Sequence, residues 1–415
     1  MSRILSRCHR IGLPVVAAGL LLAACAAPSS APVETAPSSW DSVLAAAKGE
    51  TVNLWMYGGD QQGDNYVDDV LAPAAAKLGV TIHRIPITDT KDALNRMLAE
   101  KQAGRSNDGS VDLVWVNGDN FRTGQQAALW ACGWVAALPN SKYLDPADAL
   151  LTNDFGVPTN GCEAPWHKAQ FTFFYDSAKV TDPPTTMAGL FSWITKHPGK
   201  FTYPAPPDFT GSVFVREALY AASGGVANVP LQFSQADYNR LTPALFAKLT
   251  SLAPAMWRGG ATYPRDSTEL DKLYSGGQVD FDMTYGPATL TALVGNGTFP
   301  ASTKILTLDE GTVGNASFLG MPANAADRAG AEVVANLAMS PAQQVAKADP
   351  KVWGQFTVLD LSRLDAADKS AFGALPVSPV VPGYDVLSRH ANPELSSAWV
   401  DPIDTGWQRA VLGAG

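Results

Sequence analysis

The chain is poor in the side chains that most catalytic and metal chemistry needs. It has 4 cysteines and 5 histidines in 415 residues. It has no Cys-x-x-Cys, no His-Glu-x-x-His, no Gly-x-Ser-x-Gly elbow and no phosphate-binding glycine loop. A metal centre or histidine-based acid-base site therefore has little to draw on, and neither metal nor cofactor is expected. Carboxylates are plentiful, so a secreted hydrolase built on a carboxylate pair stays open by composition. A basic stripe is also missing: 39 Asp and Glu outnumber 30 Lys and Arg for a net charge of -9, which argues against nucleic acid as a partner. Beyond the first two dozen residues no apolar run approaches the ~20 residues a spanning helix needs.

The beginning of the chain is what speaks most clearly. Arg3, Arg7 and Arg10 precede the uncharged run Ile11 to Ala24, too short to span a bilayer comfortably, which reads as a signal peptide over residues 1–24. It ends in Leu22-Ala23-Ala24-Cys25, which resembles the bacterial lipobox, in which the cysteine thiol is lipidated and becomes the new N-terminus. An ordinary signal peptide with a chance cysteine is the bland alternative. The lipobox reading places the protein outside the cytoplasm, held to the cell membrane by a lipid anchor only and facing the periplasm or the cell exterior. Residues 25–40, rich in Pro, Ala and Ser, read as a disordered tether. With Cys8 lost in the leader and Cys25 lipidated, Cys132 and Cys162 remain, and in an oxidising compartment they read as a disulfide. Zinc ligation and two free buried thiols are the alternatives.

Strand and helix patterns then alternate. Strands are expected at Thr51 to Met56, Val80 to Ile87 and Val111 to Val116, with helices at Asn65 to Leu78 and Lys91 to Ala103. A second series follows: the aromatic strand Phe171 to Phe174, helices at Met187 to Lys196 and Ser212 to Ala222, and a strand at Gln278 to Thr284. Ser317 to Gly320 and a helix from Ala325 to Ala338 look like a return of the chain. The fold class expected is α/β with two lobes, each a mainly parallel sheet flanked by helices.

The segments FTFFYDSAKVTDPPTTMAGLFSW, GGQVDFDMTYGPATL and SFLGMPANAADRAGAEVVANLAMSPAQQ, taken in that order with the lipobox, resemble the extracellular solute-binding proteins of ATP-binding-cassette (ABC) importers. VWVNGDNF, APWHKAQFTFFYD, KFTYPAPPDFTGSVFV and VWGQFTVLDLSRL look like the binding proteins of a thiamine-type importer. The resemblance implies a periplasmic-binding-protein-like fold with discontinuous lobes joined by hinge crossings. These are placed at residues 41–165 with 305–347, and at 166–304 with 348–415. It further implies a monomer that is not an enzyme, with a small-molecule ligand and the permease subunits of the importer as partners. Thiamine or a related cationic heterocycle is the first ligand choice, with polyamine or sugar as alternatives. Ferric ion is disfavoured because no Tyr-Tyr pair occurs. A structural surface lipoprotein is the rival from another class.

Ligand contacts are sought on loops at the carboxyl ends of strands. Tyr57, Gly58 and Gly59 follow the first strand, where glycines leave N–H groups free, or simply make a turn. Asn117, Asp119 and Asn120 follow VDLVWV, as cleft residues or as helix caps. Trp166 falls at the first crossing, to close over a ring or to pack the hinge. Tyr203, Asp208, Phe209 and Ser212 offer an aromatic face, a carboxylate and a helix start, Asp208 being equally a cap. In VDFDMTYG, strand alternation sets Asp280, Asp282 and Thr284 on one face, and Asp282 with Tyr285 are chosen for the cleft.

The anchor reading is checked by Cys25→Ser, which is expected to release the protein from the membrane fraction; an unchanged membrane-bound share would exclude it.

Overall fold

The computed structural model describes residues 39–387 and 391–413. The expected signal peptide, Cys25 and the expected tether through residue 38 lie outside the described residues. Ser39 caps a helix at Trp40–Ala46, its side chain accepting from the Ser42 N–H, so the last residue assigned to the tether is helical.

Eleven strands occur among the described residues: β1 (Thr51–Tyr57), β2 (Thr81–Ile87), β3 (Leu113–Val116), β4 (Asn153–Asp154), β5 (Val157–Pro158), β6 (Glu163–Gln170), β7 (Thr172–Asp176), β8 (Phe281–Thr284), β9 (Thr303–Leu306), β10 (Thr312–Gly320) and β11 (Ala391–Pro393). β1 lies between β2 and β3, parallel to both, with Thr51 opposite Thr81 and Leu54 opposite Leu113. The alternation read in the sequence is what seats this sheet. Val52, Leu54 and Met56 point to one buried face, packed with Leu71, Leu319 and Val334, while Val114 and Val116 point to the other with Ile87, Phe121 and Trp130. β10 extends the sheet antiparallel to β3, and β6 pairs antiparallel with β10.

The second sheet is small, in the order β8-β7-β9, with β7 antiparallel to both neighbours. The mainly parallel sheet expected in each lobe is therefore found only in the first. The reason is topological: the chain enters the second lobe through β6 and β7 and leaves it through β9 and β10, so the two crossings lie side by side in opposite directions. Phe171, Phe173, Phe281 and Met283 pack beneath helices Met187–Lys196, Phe209–Ala222 and Gln235–Leu252. Trp399 and Trp407 bring the C-terminal helix Val400–Ala410 into the same core.

The segment after helix Pro341–Ala348 was expected in the second lobe, but its beginning packs on the first. Trp353 is fully buried with Tyr66 and Trp166, and Val358 and Leu359 pack on Ala316 and Phe318 of β10. The Phe356 carbonyl accepts from the Lys168 N–H at 2.9 Å, continuing the sheet beyond β6.

Cys132 and Cys162 are disulfide-bonded across a separation of 30 residues. Closing a loop of that length restricts the unfolded chain by about 3 to 4 kcal/mol. The paired replacement of Cys132 and Cys162 by Ser is expected to lower unfolding stability in denaturant by that amount; an unchanged midpoint would mean the bond adds nothing.

Candidate functional site

The ladder along β10 is interrupted on one side. On the edge away from β6, residues 318–320 pair with β3 and residues 312–314 with β11. Among the described residues, Asn315, Ala316 and Ser317 have no strand beside them there. This gap lies at the carboxyl end of β3, where ligands collect in open α/β sheets.

The first lobe supplies one side of it. Asn117 follows β3 and its amide donates weakly to the Ser317 hydroxyl, at 3.4 Å. Gly118 takes a positive φ of 60° and donates its N–H to both Asp154 oxygens at 2.8 and 2.7 Å. Burial pushes the Asp154 carboxyl up to about 7 despite that N–H, and raises Glu163 further above the usual range, with Asp154's charge adding to the effect. Phe155 turns the chain with φ of 44°, an unusual conformation for a bulky side chain, and its ring lies 6.4 Å from that of Phe209 in the second lobe.

On the facing side, Phe209 is 46% exposed and its ring stands edge-on to Tyr285 at 5.1 Å. The Tyr285 hydroxyl is buried with no partner among the described residues, and burial followed by the charge of Glu394 holds its proton on. Behind it, fully buried Arg216 forms a two-pronged pair with Glu394 at 2.8 and 3.0 Å. Glu217 accepts from the Val313 N–H of β10 and is pushed up to about 8, mainly by burial. On β10 itself, Asn315 is buried with neither amide atom partnered among the described residues. Buried polar groups are normally satisfied, so this amide has hydrogen-bonding capacity left over.

Asn117, Phe209 and Tyr285 are thus brought to one gap. Asp119 and Asn120 form the first turn of helix Asp119–Gln126, where Asp119 pairs with Arg122. Asp208 caps its helix, accepting from the Gly211 N–H at 2.9 Å, and also accepts from Ser267. The Ser212 hydroxyl donates to Asp404 at 2.6 Å and accepts from Arg216.

Tyr203 is fully buried and accepts from the Trp407 indole N–H at 2.8 Å. Asp282 is fully buried beside Asp271, and burial ahead of Asp271's charge keeps it protonated well above its usual range. Phe281 and Met283 are equally buried, so the two faces of β8 differ in what they pack on rather than in access to water. Trp166 lies in the first lobe's core, 6.3 Å from Tyr66 and 5.3 Å from Trp353. Tyr57 is exposed, and the Gly58 N–H, expected to be free, donates to the Ile87 carbonyl at 3.0 Å. Both glycines serve close approach: a Cβ at Gly58 would lie 2.7 Å from Pro86, and one at Gly59 2.2 Å from the Tyr57 hydroxyl. Asp154, Phe155, Arg216, Glu394 and Asn315 escaped sequence reasoning. Of these only Asn315 left a signal, as the one amide in the strand TVGNASFLG.

Two α/β lobes joined by crossing strands, with unpartnered polar groups and aromatic rings near one gap, are the architecture of a small-molecule receptor. Residues 69–372 match the family of bacterial extracellular solute-binding proteins, and the chain belongs to it. Protein YnjB of Escherichia coli (strain K12) is 35% identical over 373 residues, covering 90% of this chain and 94% of that protein. An ABC transporter solute-binding protein from Thermotoga lettingae, bound with α-D-tagatose, is similar in fold with a TM-score of 0.64. It is 15% identical and covers 88% of this chain and 95% of its own. A periplasmic thiamin binding protein has a TM-score of 0.57 at 15% identity, covering 87% and 96%.

A carboxyl held above its unfolded value adds stability that is present at low pH and is lost as pH rises through the folded value. Asp154→Asn is therefore expected to flatten the decline in unfolding free energy between the ordinary aspartate range and about 7, by a few kcal/mol across that window. Parallel pH profiles for the variant and the parent would rule out a buried, neutral Asp154.

Proposed function

We propose that this protein is the substrate-binding lipoprotein of an ABC importer, and that it captures a cationic heterocycle of the thiamine class in the gap beside Asn315. The observation that carries the reading is the unpartnered Asn315 amide on a crossing strand, with Phe155 of one lobe and Phe209 and Tyr285 of the other around the same opening. Aromatic faces attract a flat cation, and Asp154 and Glu163 lie on the same side. The buried Arg216 is matched by Glu394 and adds no net repulsion.

A ligand touching both lobes stabilises the closed form by its extra affinity for that form. Closure is then what the permease reads, and no covalent bond changes. The lobes proposed are 41–165 with 305–347 and 166–304 with 348–415, adjusted so that the Trp353 segment moves with the first. The family match and the likeness to ABC binding proteins support transport rather than catalysis.

Thermal unfolding with thiamine, its phosphates, spermidine and simple sugars tests the ligand. Thiamine compounds are expected to raise the melting temperature, with Asn315→Ala and Phe209→Ala losing most of the rise while unfolding cooperatively. Binding of the cation is also expected to tighten as pH rises through about 7, where Asp154 ionises. A rise with sugars or spermidine alone would replace the ligand class, and full rises in both variants would move the site.

A further inference from the structure

Apart from the gap, the first lobe contains a buried aromatic box. Tyr66, Trp115, Trp166, His167 and Trp353 surround one another, with His167 centred 5.0 Å from Trp353, 5.4 Å from Trp115 and 5.5 Å from Trp166. Lys347, from helix Pro341–Ala348, sends its ammonium group into this box. The Nζ lies 5.4 Å from the Trp166 ring and 5.9 Å from the Tyr66 ring, and the residue is fully buried.

Polar groups of the box are left without partners, and the Lys347 amine and the Trp166 indole N–H among them are donors. Lys347 Nζ, Trp166 Nε1 and His167 Nδ1 are all buried with no hydrogen-bond partner among the described residues. The nearby carboxylate, Asp60, is taken by the Trp353 indole N–H at 2.8 Å. The Gln344 amide donates to the Trp166 and Ala338 carbonyls, and its oxygen accepts from Thr357 and Val358. A buried ammonium with no counter-charge is strongly unfavourable, and ring faces offset only part of that cost. Consistent with this, burial drives both Lys347 and His167 well below their usual values, and Lys347 also disfavours the charge on His167. What the cluster lacks is one negative charge that accepts hydrogen bonds.

We propose that this box is a binding site for a small anion or an anionic substituent, held by the Lys347 ammonium, the His167 imidazole and the Trp166 indole N–H. His167 stands opposite Ser317 on the crossing strands, and the Ser317 hydroxyl accepts from Asn117 at the gap. The box thus adjoins the gap and can receive the anionic end of a solute whose ring lies there. Trp353 closes it on the side where Gly354 approaches the Ala288 carbonyl of the second lobe. The donor set stands whatever the transported solute is; only the route by which the anion arrives rests on the proposed function.

The test is thermal unfolding and titration calorimetry of the full chain with inorganic phosphate, acetate and chloride at matched ionic strength, comparing parent, Lys347→Met and Trp166→Phe. The parent is expected to show a saturable rise in melting temperature with at least one of these anions. Lys347→Met, which keeps the volume and removes the unpaired amine, is expected to lose the saturable rise and to be no less stable than the parent without anion. Trp166→Phe is expected to weaken anion binding about tenfold, the loss of one charge-assisted hydrogen bond.

Thiamine and thiamine phosphate then separate the two sources of charge. A gain for the phosphate ester in the parent that vanishes in Lys347→Met makes the anion part of the solute; binding of inorganic anion with no gain for the ester makes it a free ion. If neither thiamine compound binds, the inorganic arm still decides. The same saturable rise in parent and Lys347→Met, or no rise with any anion in the parent, overturns the site.

Discussion

Everything at the candidate site hangs on the antiparallel pairing of β6 with β10. Seven matched pairs run from Glu163 opposite Gly320 to Gln170 opposite Gly314, with one irregularity between Ser317 and Phe318. The same two stretches of chain continue as β7 and β9 in the second lobe. One ladder therefore belongs to both sheets, and it fixes where the second lobe begins and in which direction its strands run. Among the described residues β10 keeps a free edge at Asn315 to Ser317, because β3 ends on one side of that point and β11 on the other. The irregularity lets Trp166 turn into the first lobe's core while His167 stays opposite Ser317.

Around that edge, charge is arranged in three states. Arg216 and Glu394 are paired in the interior, where loss of either partner would strand the other. Asp154, Glu163 and Glu217 are carboxyls that burial keeps wholly or partly protonated. Lys347 and His167 form a donor group that burial drives towards neutrality. With this layout burial favours the uncharged forms of these groups, so the charged solute proposed for the site would shift their protonation on binding.

Interior packing also explains why several polar residues near strand ends do not face the gap. Asp208 and Ser212 lie at the start of the helix Phe209–Ala222, where unpaired N–H groups and neighbouring side chains need acceptors, and both are used in that way. Tyr203 and Asp282 lie beneath that helix and beside helix Ser267–Ser275 respectively, bonded or paired inside the second lobe. Phe209 comes from the same stretch and is exposed, while Tyr285 is packed in the same core with its hydroxyl unpartnered among the described residues.

By itself the sequence determined several strands and helices of the two α/β lobes, the cysteine pair and the family, because these depend on local periodicity, on the count of thiols and on contiguous motifs. Period-two burial in TVNLWM was enough to place β1, and the apolar runs LVWV and FTFF were enough for β3 and β7. Only the tertiary structure decided the antiparallel second sheet, the packing of the Trp353 segment on the first lobe, and the meeting of Asn117, Phe155, Phe209, Tyr285 and Asn315. Asn117 and Ser317 are 200 residues apart, and Arg216 and Glu394 are 178 apart. No local pattern encodes such meetings. They follow from which strand edges remain after the sheets have paired, and that is a property of the whole chain.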